Sequence, residues 1–319
     1  MTSSDRFARR NQARIALLLL VATLNYWLAV CIAAVVVGVG FVVYAMFQLD
    51  YFPDSLDEAK YVGIGVLCVL AVSVVVGTFL ALVRIPRQRR ALERRVLDET
   101  GARIATPDDH PRVRNLLEGL AIAADVPVPR FAMIADPAPN SFGVGTRPSN
   151  TIIGVTTGLV DRLTRDELEA VLAYEVSRID GWDIALSSWT VALTAGAISA
   201  LDDDEVKKLV GWLSVRLAER LQVWALRDQG ELRDRHAVHF TRNPRSLVRA
   251  LEKLHDDPSV VQRVSRATAP LWVEFPTTLA VGASTRSGTR LAGEFLLDER
   301  IDALRELAGL PPEQAATKP

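Results

Sequence analysis

Cysteine is nearly absent from this chain. Its 319 residues hold two, Cys31 and Cys68, both inside apolar runs, which excludes a disulfide framework and a cysteine-ligated zinc site. Histidine is scarce as well, with four residues in all. Charge of one sign is lacking: the formal net charge is −1, so no global basic field marks a nucleic-acid binder. No internal repeat is present. What the chain has in quantity is apolar residue, 49% of the sequence with a mean hydropathy of +0.17, a balance that points to membrane content. Its length suits one sizeable core plus membrane segments, or two modest domains.

Two apolar runs carry that content. Residues 15–47 are nearly continuous, broken mainly by Asn25 with Tyr26 and Trp27. As a helix the run spans roughly 50 Å, against a hydrocarbon core of ~30 Å. Splitting it leaves 15–24 too short to cross. One crossing over 28–47 is therefore expected, with an extended or tilted N-terminal approach and an aromatic pair near the interface. The second run, 61–83, is uncharged and of spanning length. A cleaved signal peptide fails on length and on the lack of a small-residue cleavage site. Arg6, Arg9, Arg10 and Arg14 precede the first run, and Arg84, Arg87, Arg89, Arg90, Arg94 and Arg95 follow the second. The loop between them carries Asp50, Asp54, Asp57 and Glu58 against Lys60. The positive-inside rule then makes both ends of the hairpin cytoplasmic, giving a multi-pass protein of the cell (inner) membrane with its soluble part in the cytoplasm. The arginines at 84–95 suit topology and anionic-lipid contact. The expected division is a transmembrane hairpin over 1–90, a domain over 91–310 and a disordered tail over 311–319.

Beyond the hairpin, residues 91–125 follow helical spacing, with Pro111 at a helix start after Asp108 and Asp109. Strands are expected at 130–135, 141–145 and 151–155, where β-branched residues alternate with Pro, Asn and Gly punctuation. Thr164 and Glu167 form a capping box that opens a helix over 166–180. Residues 184–200 are uncharged, but their continuation at 206–226 carries Lys207, Lys208, Arg216, Glu219 and Arg220 and crosses lipid only at high cost. A helical hairpin is expected there, packed on the domain or touching the bilayer. Trp189, Trp212 and Trp224 would be interfacial anchors or core residues.

Several stretches then read in a fixed order. Asn140, Ser141 and Phe142 precede Thr156, Thr157, Gly158 and Leu159. Arg165, Asp166, Glu167, Leu168 and Glu169 lead into Tyr174, Glu175, Ser177 and Arg178, with Asp183 beyond. Arg227, Asp228, Asp234, Phe240, Asn243 and Pro244 follow, and residues 296–304 close the series. Over about residues 95–310 this resembles the HtpX-type membrane zinc metallopeptidases, whose helix reads Arg-Asp-Glu-Leu-Glu-x-Val-Leu-Ala-His-Glu-x-Ser-His. The two histidines are missing. Tyr174 and Arg178 stand in their places.

That resemblance implies an α+β fold, a mainly helical gluzincin-like peptidase domain with a small β-sheet behind a two-helix transmembrane hairpin. In the family, histidines at i and i+4 hold Zn²⁺ and the Glu between them is the general base. Glu175 keeps the general-base position. Tyr174 is a poor ligand near neutral pH, because a phenol has a pKa of about 10, and Arg178 is a permanent cation without a lone pair to donate. The third ligand position falls on Gly230, with neighbouring Glu231 about 100° further round the helix. His236 and His239, three apart, and the isolated His110 and His255 are expected to be solvated or structural. Asp183 and Asp234 are retained structural positions. Arg178 is expected to neutralise Glu175 from i+3 with Glu231 as a second partner, or else both side chains face solvent. The strand of Asn140, Ser141 and Phe142 is the peptide-accepting edge that the resemblance implies.

Three functions follow as expectations. The first is a catalytically inactive pseudoprotease that binds or regulates another membrane or cytoplasmic protein, without a cofactor. The second is an active zinc metalloendopeptidase with rearranged ligands. The third is a structural subunit of a membrane complex. The expected partners are membrane lipid and a protein, not nucleic acid.

Overall fold

The computed structural model describes residues 3–48, 56–106, 109–198, 216–217, 220–221, 224–225, 230–265, 268–273 and 297–311. Helix α1 (Ser3–Gln48) and helix α2 (Leu56–Thr100) pack along each other. Gly38 faces Val69 and Gly77 faces Val30, so the two run antiparallel. The approach expected before residue 28, extended or tilted, is a continuous part of α1, and the reason is packing. Phe7, Asn11, Ile15 and Leu18 recur every three or four residues and bury one stripe against the domain. Asn11 Nδ2 donates to Gly181 O at 2.8 Å. Among the described residues no helix is long and apolar enough to cross a membrane. The spans expected at 28–47 and 61–83 are therefore not shown, and many of their side chains lie outside the described ones.

The domain is built round a four-stranded sheet in the order β1-β2-β4-β3. Strands β2 (Arg130–Ile134) and β4 (Ile152–Thr156) run parallel, in register Phe131 to Ile153, while β3 (Ser141–Val144) lies antiparallel to β4 at one margin. These are the three strands expected. Strand β1 (Arg103–Ile104), paired to β2, was not expected, since two residues make no readable pattern. Side chains alternate across the sheet. Phe131, Ile153 and Val155 face a core formed with α3 (Pro111–Ala123), α5 (Arg165–Asp180), α8 (Pro244–His255) and α9 (Leu297–Leu307). Ala132, Ile134, Phe142 and Ile152 face a second core shared with α1, α2 and α6 (Asp183–Ile198). Pro111 occupies the first turn of α3 after His110, as the helix signal required.

Short α4 (Thr157–Arg162) follows β4, and α7 (Gly230–Thr241) precedes α8. Helix α6 packs on α1 and β3, and its Trp189 is buried, so this tryptophan belongs to the core. Trp224 is 42% exposed and carries the Arg14 guanidinium over its ring. Trp212, most of 206–226 and the tail from 312 lie outside the described residues.

Candidate functional site

The site begins with a helix start that its own sequence fixes. Thr164 Oγ1 accepts from Glu167 N at 3.4 Å and Glu167 Oε2 accepts from Thr164 N at 2.8 Å, the reciprocal pair of a capping box. Lys253 Nζ reaches the same Glu167 oxygen at 2.6 Å and ties α5 to α8. Burial raises the Glu167 pKa, but Lys253 and Thr164 outweigh it and hold the carboxyl below its usual range. Behind the sheet margin, Thr156 caps α4 by accepting from Leu159 N at 3.2 Å, and it bonds both the N–H and the C=O of Asn140. Gly158 lies so close to the Pro137 carbonyl that a Cβ would collide with it, which accounts for a glycine after Thr156 and Thr157.

From that start α5 carries Tyr174, Glu175 and Arg178 into the interior, where their burial is nearly complete. Arg178 Nη1 lies 2.9 Å from Glu175 Oε2, and both side chains have no exposed surface. Ser141 Oγ, on β3, donates to Glu175 Oε1 at 3.0 Å. Arg178 Nε donates to Asp183 Oδ2 at 3.3 Å, and its Nη1 also donates to Leu271 O at 3.1 Å. Asp183 reaches this place because Trp182 takes a left-handed φ of 59°, which turns the chain sharply from α5 into α6. Burial by itself would lower the Arg178 pKa. Glu175, then Tyr174 and Asp183, outweigh it and raise the pKa, so the guanidinium stays charged.

A second buried arginine completes the cluster. Arg300 on α9 forks onto Asp234 of α7 at 3.0 and 2.8 Å and donates from Nη1 to Val273 O at 2.9 Å. Its guanidinium lies 4.7 Å from the Tyr174 ring centroid, and that of Arg178 lies 5.8 Å from the same ring. Tyr174 is thus flanked by two cations that its ring face attracts. Burial lowers the Arg300 pKa less than Asp234 and Tyr174 raise it.

The structure therefore brings Ser141, Tyr174, Glu175, Arg178, Asp183 and Asp234 into one buried cluster. Glu175 and Arg178 do not face solvent. The side chain of Glu231, expected as a second partner, lies outside the described ones, and Gly230 opens α7. His236 is half-buried with its ring edge-on to Phe7 of α1 at 6.1 Å. Burial pushes its pKa down and His239 adds to that, while Asp180 opposes it. His110, His239 and His255 are exposed. Arg300 and the segment 271–273 were not singled out in the sequence. Arg300 stands 66 residues from Asp234, and no local spacing couples them.

The margin expected to accept a peptide is covered. Phe142 of β3 bridges antiparallel to Trp272, their rings 5.1 Å apart, and Val273 N donates to Ser141 O at 2.9 Å. Asn140, Ser141 and Phe142 are all buried.

A helical domain round a small mixed sheet, with a capped helix carrying a glutamate against the margin strand, is consistent with a peptidase-type scaffold. A model of peptidase family M48 matches residues 107–308, and the chain belongs to that family. It is similar to proteins named Protease HtpX homolog. The one from Dictyoglomus turgidum is 34% identical over 201 residues, 57% of this chain and 66% of that protein. The Streptococcus gordonii protein is 32% identical over 208 residues, 57% and 70% respectively, and that of Streptococcus equi subsp. equi is 32% identical over 242 residues, 66% and 78%. The chain thus spans about two thirds of the length of the first of these relatives.

Membership corrects the expectation that no cofactor is involved: for the HtpX type within this family, zinc is what membership implies. The described residues around Glu175 do not fit that ion. Arg178, a cation that cannot donate a lone pair, lies 2.9 Å from the Glu175 carboxylate. Among the described residues no group of three or more His, Cys, Asp or Glu could hold a metal ion.

Proposed function

We propose that this chain is a non-catalytic, membrane-anchored member of the M48 family that acts by binding or regulating another protein. The observation that carries the reading is the sealed pair: the Glu175 carboxylate is neutralised by Arg178 at 2.9 Å, with both side chains wholly buried. A general base needs a water within hydrogen-bond reach and a carboxylate free to take its proton. Here one oxygen is bonded to Ser141 and the other to a guanidinium. Anchoring is supported by apolar side chains turned outward along both long helices, among them Leu20, Leu28, Val37, Leu67 and Phe79, each more than half exposed. Outward apolar surface on that scale suits lipid rather than water. The arginine-rich flanks support a cytoplasmic position for the domain.

The test is casein cleavage by the full chain in detergent, with and without added zinc. No cleavage is expected, and chelator-sensitive cleavage overturns the reading. The combined change Tyr174→His, Arg178→His and Gly230→Glu tests the three aligned positions: zinc uptake is expected of it, and its absence overturns the alignment. The second reading, an active metallopeptidase, is favoured by the relatives' name of protease, and the same cleavage assay decides between the two.

A further inference from the structure

Segment 271–273 is bound to the domain as a peptide ligand would be. A turn over Ala269–Leu271 delivers it, with Thr268 and Ser265 bonded to each other at the turn's start. Trp272 then extends, at φ −78° and ψ 151°. The amides of Leu271 and Trp272 close the turn onto Thr268 O and Ala269 O, and three further backbone groups of the segment have partners on other elements. Val273 N goes to Ser141 O of β3 at 2.9 Å, Leu271 O takes Arg178 Nη1 at 3.1 Å, and Val273 O takes Arg300 Nη1 at 2.9 Å. Two guanidiniums thus bond alternate carbonyls while the margin strand takes the Val273 amide. Leu271, Trp272 and Val273 are all buried, and Trp272 leans on Phe142.

The fit is incomplete in two places. Among the described residues neither Trp272 Nε1 nor Arg178 Nη2 has a hydrogen-bond partner, although both atoms are buried. Buried donors without partners weaken the closed arrangement relative to one that satisfies them. Among the described residues the segment pairs with β3 through one bridge.

We infer that residues 271–273 are a built-in strand that closes the β3 margin, latched by Arg178 and Arg300, and that an extended apolar peptide with an aromatic residue opposite Phe142 displaces it. The inference rests on the reading of the domain as a protein-binding module and gives it a site, a ligand class and a means of control. The arginines act here as positioning residues for a peptide backbone, and they take any sequence that presents carbonyls two residues apart. Selectivity comes from the pocket that Trp272 fills. The tethered segment competes at an effective concentration on the order of millimolar, so a partner peptide must bind well to replace it.

The test uses the full chain in detergent and a fluorescent peptide with the sequence of residues 268–273, Thr-Ala-Pro-Leu-Trp-Val. Binding to the Trp272→Gly protein is expected to be at least about tenfold tighter than to the unaltered protein, because the competing strand is weakened. A peptide with Gly in place of Trp should bind neither. Equal binding to both proteins overturns the inference. So does no binding to a Trp272→Gly protein whose α5 amides stay protected in hydrogen exchange. If that variant does not fold, the unaltered protein serves: peptide in excess should speed exchange across 269–273 and leave α5 unchanged, and unchanged exchange at 269–273 overturns it. Neither readout depends on cleavage, so failure here is distinct from cleavage of casein, which would overturn the non-catalytic reading alone.

Discussion

Glu175 and Arg178 stand one helical turn apart and share a place closed to water, so each fixes the charge state of the other. Changing Arg178→Met removes the guanidinium that Glu175 and Asp183 share, a loss of about 3–5 kcal/mol. Glu175→Gln is expected to cost less, since Asp183 still faces the guanidinium at 3.3 Å. The double variant should cost less than the two singles together, with a coupling on the order of 1–3 kcal/mol. Urea unfolding of the four proteins measures it, and additivity within about 0.5 kcal/mol would show that the pair is not coupled. This pair was legible before the fold was known, because i and i+3 share a face in any helix. The partners that hold it, Ser141 and Leu271, were not: each comes from a separate element.

At the scale of elements, α5 owes its position to its cap and α1 owes its docking to a stripe. Thr164→Ala removes the oxygen that accepts Glu167 N and should lower stability by about 1 kcal/mol. Thermal unfolding checks this, with Thr164→Ser expected to restore most of the loss. Docking of α1 should depend on pH through His236. Burial depresses its folded pKa below the ordinary 6.5, with His239 adding and Asp180 opposing. The proton therefore prefers the undocked state. Docking is complete above about pH 6.5 and is lost as pH falls through the folded value. Hydrogen exchange over residues 3–18, taken relative to the intrinsic exchange rate at each pH, should rise from pH 7.5 to 5.5 in the native protein and stay level in His236→Gln. A level profile in both would exclude His236 as the cause.

For the molecule as a whole, the long hairpin and the domain are one packed body. Phe7, Ile15 and Leu18 of α1 are buried with domain residues, and Val96 of α2 lies in the same core as Leu186 and Trp272. Fully burying one such side chain is worth about 1.5–3 kcal/mol. A chain lacking residues 1–90 should accordingly unfold at a lower temperature than the full chain and aggregate through the uncovered face. An unchanged midpoint in the same detergent would mean that the docked stripe contributes nothing. Partner capture from the same two proteins separates domain-mediated from helix-mediated binding, since loss of every partner on truncation favours the helices.

What the sequence determined by itself is whatever short spacing controls: the capped start of α5, the Glu175–Arg178 turn, the three main strands and the ordered motifs that mark the M48 family. Helix and strand periods put such residues on one face wherever the element ends up. Only the tertiary structure decided that Asn11 would meet Gly181, 170 positions away, that Arg300 would fork onto Asp234, and that Trp272 would cover Phe142. Contacts of that range depend on how whole elements pack, and no local pattern encodes which buried carbonyl an arginine will reach.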